Sequence, residues 1–333
     1  MKNVNKLFNT FTRLTRMPYQ DTPKHCRTPD RSVLIAVLFL GWFGSVCVGS
    51  TYTVDAVADG LLAAEARLMN LRLEYVLTRS TWNEPNRPKL VIEAVYAQKR
   101  SENAPGRLRY LDCKHTIVSP SKKQVAFRVD MLASFDGQVT TILYRKDESG
   151  ESLEPMKGYI LNGYKSGPFP TALGDPHTKI WYFAGRHLGT FLKEHRDKFH
   201  VESDSKVLNG ISTIEVVGTL WADPNTGKSR TMKLWVSPER NFLPLKFQLV
   251  RANGELAWET ALYDLMQLPN GIWYPKTIRS PADPPGMRDP QILEIHSISK
   301  ISIDPLPDDF FRPKFPPGTR VLDNILNASY TTY

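Results

Sequence analysis

Apolar and polar residues alternate one for one along much of this chain, the period of strands that bury a single face. Leu71, Leu73, Tyr75 and Leu77 alternate with Arg72, Glu74, Val76 and Thr78. Val125, Phe127, Val129 and Met131 alternate with Ala126, Arg128 and Asp130, and Leu245, Phe247 and Leu249 with Lys246 and Gln248. Further strands are predicted over 90–96, 107–118, 139–145, 199–204, 211–221, 229–236, 255–268, from Ile272 onward, and over 291–303. Asp136-Gly137 and Pro269-Asn270-Gly271 supply turns. Asn253-Gly254 predicts a type I′ hairpin turn, because both residues tolerate positive φ.

The period changes in two places. Val54, Val57, Leu61, Ala64 and Leu68 fall on one side of a helix over 53–70, with Thr53 as N-cap and Asp55 and Asp59 near its positive end. This helix runs directly into the strand at 71 and is expected to lie across the apolar face of the sheet. A second helix is predicted over 186–197, on Leu188, Phe191, Leu192 and His195. From 147 to 179 Gly and Pro break every pattern, which predicts a long loop insertion. The proline-rich stretch 305–318 predicts an extended strap over the sheet. The fold class is therefore mainly β (α+β), a long-stranded antiparallel sheet with covering helices.

Charge divides the chain into three parts. Residues 1–31 carry seven basic and two acidic side chains, so this tail holds five of the nine excess positive charges. The remainder has no basic run longer than a pair, which argues against nucleic acid as a partner. No charged residue occurs from Ser32 to Val54, and 33–48 is almost wholly apolar. A basic segment before an apolar run is the form of an export signal or of a membrane anchor. The apolar run 33–48 is long for the first and short for the second, so both readings of segment 32–50 stand. Either places 51–333 outside the cytoplasm, in the cell envelope, as one domain.

Cysteine and histidine exclude more chemistry than they suggest. Cys26, Cys47 and Cys113 leave one cysteine beyond the signal, which excludes an intramolecular disulfide framework there. Gly44-Ser45-Val46 before Cys47 fits a lipidation signal poorly. His177, His187, His195 and His200 fall within 24 residues but lack the HxH or HExxH spacing of a metal site, and are expected at the surface. Asp308-Asp309 and Glu239-Arg240 read as solvated turn charges. There is no G-x-S-x-G elbow, P-loop or G-x-G-x-x-G. No catalytic residue, metal ligand or cofactor is predicted, and the protein is expected not to be an enzyme.

One stretch carries a resemblance. Trp235-Val-Ser-Pro238-Glu239, Leu243-Pro244-Leu245-Lys246, Asn253-Gly254, Asn270-Gly271-Ile272-Trp273-Tyr274-Pro275 and the closing Gly318-Thr319-Arg320-Val321-Leu322-Asp323 follow one another in about 90 residues. Together with the export segment and a helix entering a long strand, they resemble the outer-membrane lipoprotein-sorting (LolA/LolB-like) family. The resemblance implies a half-open β-barrel whose concave face is closed by helices and holds something apolar, a lipid or the acyl group of a protein. On that basis the inward residues Leu73, Tyr75, Leu77, Phe127, Val129, Leu245, Phe247, Leu249 and Trp258 are the candidate lining. The alternative is that the same residues pack on the helices, and the filled barrel serves as a structural or protein-interaction module. The chain departs from the smaller carriers in its N-terminal extension and in the 147–179 insertion.

Overall fold

The computed structural model describes residues 51–68, 70–81, 90–100, 107–118, 125–147, 156–163, 175–183, 185–222, 229–281 and 292–333. The tail 1–31 and the apolar segment 32–50 lie outside these residues. Among the described residues no helix is long and apolar enough to cross a membrane.

Helix α1 covers Val54–Ala66, and the Thr53 side chain accepts a hydrogen bond from the Ala56 amide at 3.1 Å, the N-cap that the sequence predicts. It buries Val57, Ala58, Leu61, Ala64 and Glu65, one side of the helix. Four residues later the backbone is extended. Strands β1 (Asn70–Thr81), β2 (Leu90–Arg100), β3 (Arg107–Val118), β4 (Val125–Phe135), β5 (Val139–Asp147) and β6 (Lys157–Asn162) follow, each antiparallel to the one before. Helix α2 (Pro176–Trp181), the small hairpin β7 (Tyr182–Phe183) and β8 (Arg186–His187), and helix α3 (Leu188–Glu194) interrupt the strands.

Strands then resume as β9 (Phe199–Leu208), β10 (Ile211–Ala222), β11 (Ser229–Ser237), β12 (Leu243–Arg251), β13 (Leu256–Gln267), β14 (Trp273–Pro281) and β15 (Ile292–Ser302). The last of these pairs antiparallel with β1, so the two runs become a single sheet. Two short strands, β16 (Arg320–Asp323) and β17 (Ala328–Thr331), extend it beyond β6. The result is one 15-stranded curved sheet that does not close, with β17 and β9 as its free edges. This is the half-open barrel with covering helices.

Alternation along β1 is the predicted one: Leu71, Leu73, Tyr75 and Leu77 are buried and their neighbours half-buried. The buried side chains of the concave face and of the three helices form one continuous core. A second, small cluster lies on the other face of β2 and β3, where Phe311 covers Ala97 and Leu108. Phe311 belongs to the strap 305–318, which tightens into a 3-10 turn at Asp308–Phe311.

Four expectations need correction. The stretch 147–179 is not a plain loop, since β6 lies within it and α2 begins at Pro176. Gly158, read as a breaker, sits where an added Cβ would fall 2.4 Å from the Phe315 ring, so its lack of a side chain lets the strap cross β6. The predicted helix 186–197 is only Leu188–Glu194, because its first two residues pair with β7. Asn253-Gly254 does not form a type I′ turn: only Gly254 has positive φ, 82°, and Arg251 N donates to Glu255 O at 2.9 Å. That is a three-residue loop with the glycine in the left-handed position. A two-residue turn with positive φ at both positions does occur, at Asn209 (52°) and Gly210 (78°), between β9 and β10.

Candidate functional site

Two features of the concave side carry chemistry, a buried polar chain and an open recess. The polar chain starts on α1. Glu65 is four residues from Leu61 and three from Leu68, so it faces the core with them. His177 on α2 meets it at 2.9 Å through Nε2, and the same nitrogen lies 3.2 Å from Gln98 Nε2 on β2. Tyr96 OH donates to Gln98 Oε1 at 3.0 Å. His187 caps α3, accepting from the Gly189 amide at 3.1 Å, and its other nitrogen lies 3.7 Å from Glu65. Glu65, His177 and His187 come from α1, α2 and the start of α3, and Gln98 and Tyr96 from β2, so the chain ties the three helices to the sheet.

A second ionic group anchors α2 from the opposite side. Glu294 on β15 is 1% exposed and takes Arg79 of β1 at 2.7 Å and Lys179 of α2 at 2.9 Å. Burial by itself would raise its carboxyl, but Lys179 and Arg79 outweigh burial and hold it down to about 2. Lys179 also donates to Pro281 O at 2.7 Å. Asp175 is wholly buried and caps α2, accepting from Thr178 N at 3.0 Å and Thr178 Oγ1 at 2.6 Å. Near it Tyr75 and Tyr274 have their hydroxyls pushed well up, first by burial and then by the Asp175 charge.

The recess lies where the β9–β10 hairpin curls over β12–β14. It has a volume of about 470 Å³, within the roughly 300–1,000 Å³ range of small-molecule sites. Leu245, Leu262, Leu265, Leu208 and Ile211 form its apolar wall, with Trp273 at one side. Arg240 is the last residue of the 3-10 turn Pro238–Arg240 after β11, and its guanidinium lies 3.5 Å from the centre of the Trp273 ring. Asp264 and Tyr263 stand at the exposed rim.

The predicted lining is dispersed by this geometry. Leu73, Tyr75, Leu77, Phe247, Leu249 and Trp258 are at most 5% exposed and belong to the packed core. Phe247 and Trp258 stack with centroids 4.6 Å apart, and Phe183 of the β7–β8 hairpin meets Phe247 edge-on at 6.2 Å. Of the seven whose side chains are described, Leu245 alone lines the recess. Phe127 and Val129 lie on β4, but their side chains are outside the described residues.

Several functional candidates were not read from the sequence. His177 and His187 are interior rather than surface residues, with side chains 1% and 12% exposed. Arg240 is not a solvated turn charge but a stacked one, and Asp308 pairs with Lys99 at 2.7 Å. One signal was present: a glutamate at position 65 on the apolar stripe of a helix needs a buried partner. Nothing in the sequence names that partner. Among the described residues no group of three or more His, Cys, Asp and Glu side chains is placed to hold a metal ion.

No family model and no curated protein matches the sequence. Solved structures do. A putative outer-membrane lipoprotein-sorting protein domain from Vibrio parahaemolyticus aligns over 78% of this chain and 97% of its own, at 11% identity and a TM-score of 0.40. A DUF1329 family protein from Desulfovibrio piger covers 78% and 96%, at 11% identity and 0.37. A LolA superfamily protein from Nitrosomonas europaea covers 78% and 98%, at 13% identity and 0.34. The chain is thus similar to these proteins over nearly their full lengths, at a level that concerns the course of the backbone and not its chemistry.

Proposed function

We propose that the protein is a non-enzymatic binder of the cell envelope that takes a lipid or acyl group on the concave side of its half-barrel. The observation that supports this reading is the recess, whose wall is built from leucine and isoleucine side chains and opens to solvent at Asp264. An apolar wall of that size is costly in water unless a ligand or lid covers it. The basic tail and apolar segment 32–50 support delivery of 51–333 across a membrane, by a cleaved signal or a retained anchor. The neighbour described as an outer-membrane lipoprotein-sorting protein suggests an acylated protein as one source of the ligand.

A second reading is favoured by the buried polar chain. Glu65, His177 and Gln98 fill the middle of the concave face with protein, so the barrel could serve as a rigid module for a protein partner. Native mass spectrometry of the full-length chain, with lipid extraction of the same sample, separates the two. Lipid binding predicts a co-purifying acyl species that is lost in Leu265→Glu, a change at the half-buried recess wall. A clean apo mass, with no thermal shift on adding phospholipids, would overturn it and leave the interaction module.

A further inference from the structure

The recess is apolar along one wall and charged at its rim, and the two charges have opposite signs. Arg240 and Asp264 both line it, yet no ion pair joins them. Stacking on Trp273 holds the Arg240 guanidinium flat against the wall, and its Nε is buried without a hydrogen-bond partner. A desolvated guanidinium N–H without an acceptor is costly, and a phosphate is the acceptor its planar fork fits. Asp264 is held in place by its backbone. It takes φ 53°, leaving a gap in the β13–β14 ladder between the Tyr263–Thr277 and Leu265–Pro275 rungs. Its Oδ2 accepts from Thr277 Oγ1 at 2.9 Å, and Oδ1 has no partner among the described residues. A simple anionic amphiphile would satisfy Arg240 but face the Asp264 carboxylate, and a cationic one would meet the reverse conflict.

We infer that the recess takes a single-chain phospholipid with a zwitterionic head, its phosphate against Arg240 and its ammonium against Asp264. The acyl chain lies along Leu245, Leu262 and Leu265. This assignment rests on the lipid-binding reading above and adds the head group to it.

The test is titration of the full-length protein with three lipids of one chain length, each below its self-association concentration. These are lysophosphatidylethanolamine, lysophosphatidic acid and a monoacylglycerol. The expected order is lysophosphatidylethanolamine at least tenfold tighter than either of the others. Arg240→Gln abolishes its advantage over the monoacylglycerol. Asp264→Asn, which tolerates the left-handed backbone, abolishes its advantage over lysophosphatidic acid. Both variants retain the monoacylglycerol affinity, which reports that the fold and the apolar wall are intact. Equal affinity for all three lipids, a preference for lysophosphatidic acid, or a preference unchanged in both variants overturns the head-group assignment while lipid binding stands. No binding of any lipid overturns both.

Discussion

Glu65 of α1 and His177 of α2 meet at 2.9 Å with both side chains almost wholly buried, although 112 residues separate them in sequence. The pair fixes where two helices sit against the sheet. Helix α2 has six residues and cannot persist alone, so its position comes from Glu65 on one side and Glu294 on the other.

Replacing Glu65 by Ala leaves His177 facing an empty acceptor position in the core. Breaking a buried pair from one side typically costs about 3–5 kcal/mol, and urea unfolding of the variant should show a loss of that order. The double variant of Glu65→Ala and His177→Ala should lose less than the sum of the two single changes, since both remove the same interaction. Strict additivity would mean that the two side chains act independently.

Glu294 gives the protein an acid-sensitive element. Its carboxyl lies at about 2 in the fold against an ordinary value of 4.5, a depressed value, so its contribution is present above about 4.5 and lost as pH falls toward 2. The difference corresponds to about 3 kcal/mol at neutral pH. Glu294→Gln should lower stability at pH 7 and flatten the stability profile between pH 4.5 and 2. A variant with the same acid slope as the parent would show that Lys179 and Arg79 do not set this carboxyl.

Gly189 of α3 packs close against α1. An added Cβ would stand 2.6 Å from the Ala58 carbonyl oxygen, a backbone atom that cannot rotate aside. Gly189→Ala should therefore destabilise by about 1–3 kcal/mol, as overpacking does. Gly210→Ala meets nothing within 4 Å and strains only the turn at φ 78°, so its cost should come from backbone strain instead. Thermal unfolding of both variants, with Gly189→Asn and Gly210→Asn beside them, checks the assignment. Asn tolerates positive φ, so it should rescue position 210 and not 189.

Phe311 holds the strap on the outer face through Ala97 and Leu108, away from the main core. Truncating a buried Phe to Ala costs about 3–5 kcal/mol, and here much of that should appear as local opening. Limited proteolysis of Phe311→Ala should cut within 305–318 well before the barrel unfolds. Lys99 also bonds Leu306 O and Asp308, both at 2.7 Å, so Lys99→Met should act in the same direction, more weakly.

Strands were legible wherever a run was long enough to repeat its period. Leu71 to Leu77 and Leu245 to Leu249 each show the buried face directly, and α1 was legible for the same reason at a period of 3.6. Lys157–Asn162 was not, because it is six residues long, flanked by Gly and Pro, and paired through backbone atoms that side-chain patterns do not report. The short strands β16 and β17 escape for that reason as well. The seven described residues of the predicted lining are buried, and a buried face is not the same as an available one. Phe183 and the helices occupy the space in front of Phe247 and Trp258.

Local pattern therefore settled the class of fold, the turn positions and which face of most strands is apolar, since these depend on neighbours two to four residues away. It could not settle which charges are buried or where an opening remains. Glu65 finds His177, Glu294 finds Lys179, and Arg240 finds Trp273 only after the sheet has curved and brought distant segments together. Such pairings are decided by side-chain volume and desolvation in three dimensions, and no spacing along the chain encodes them.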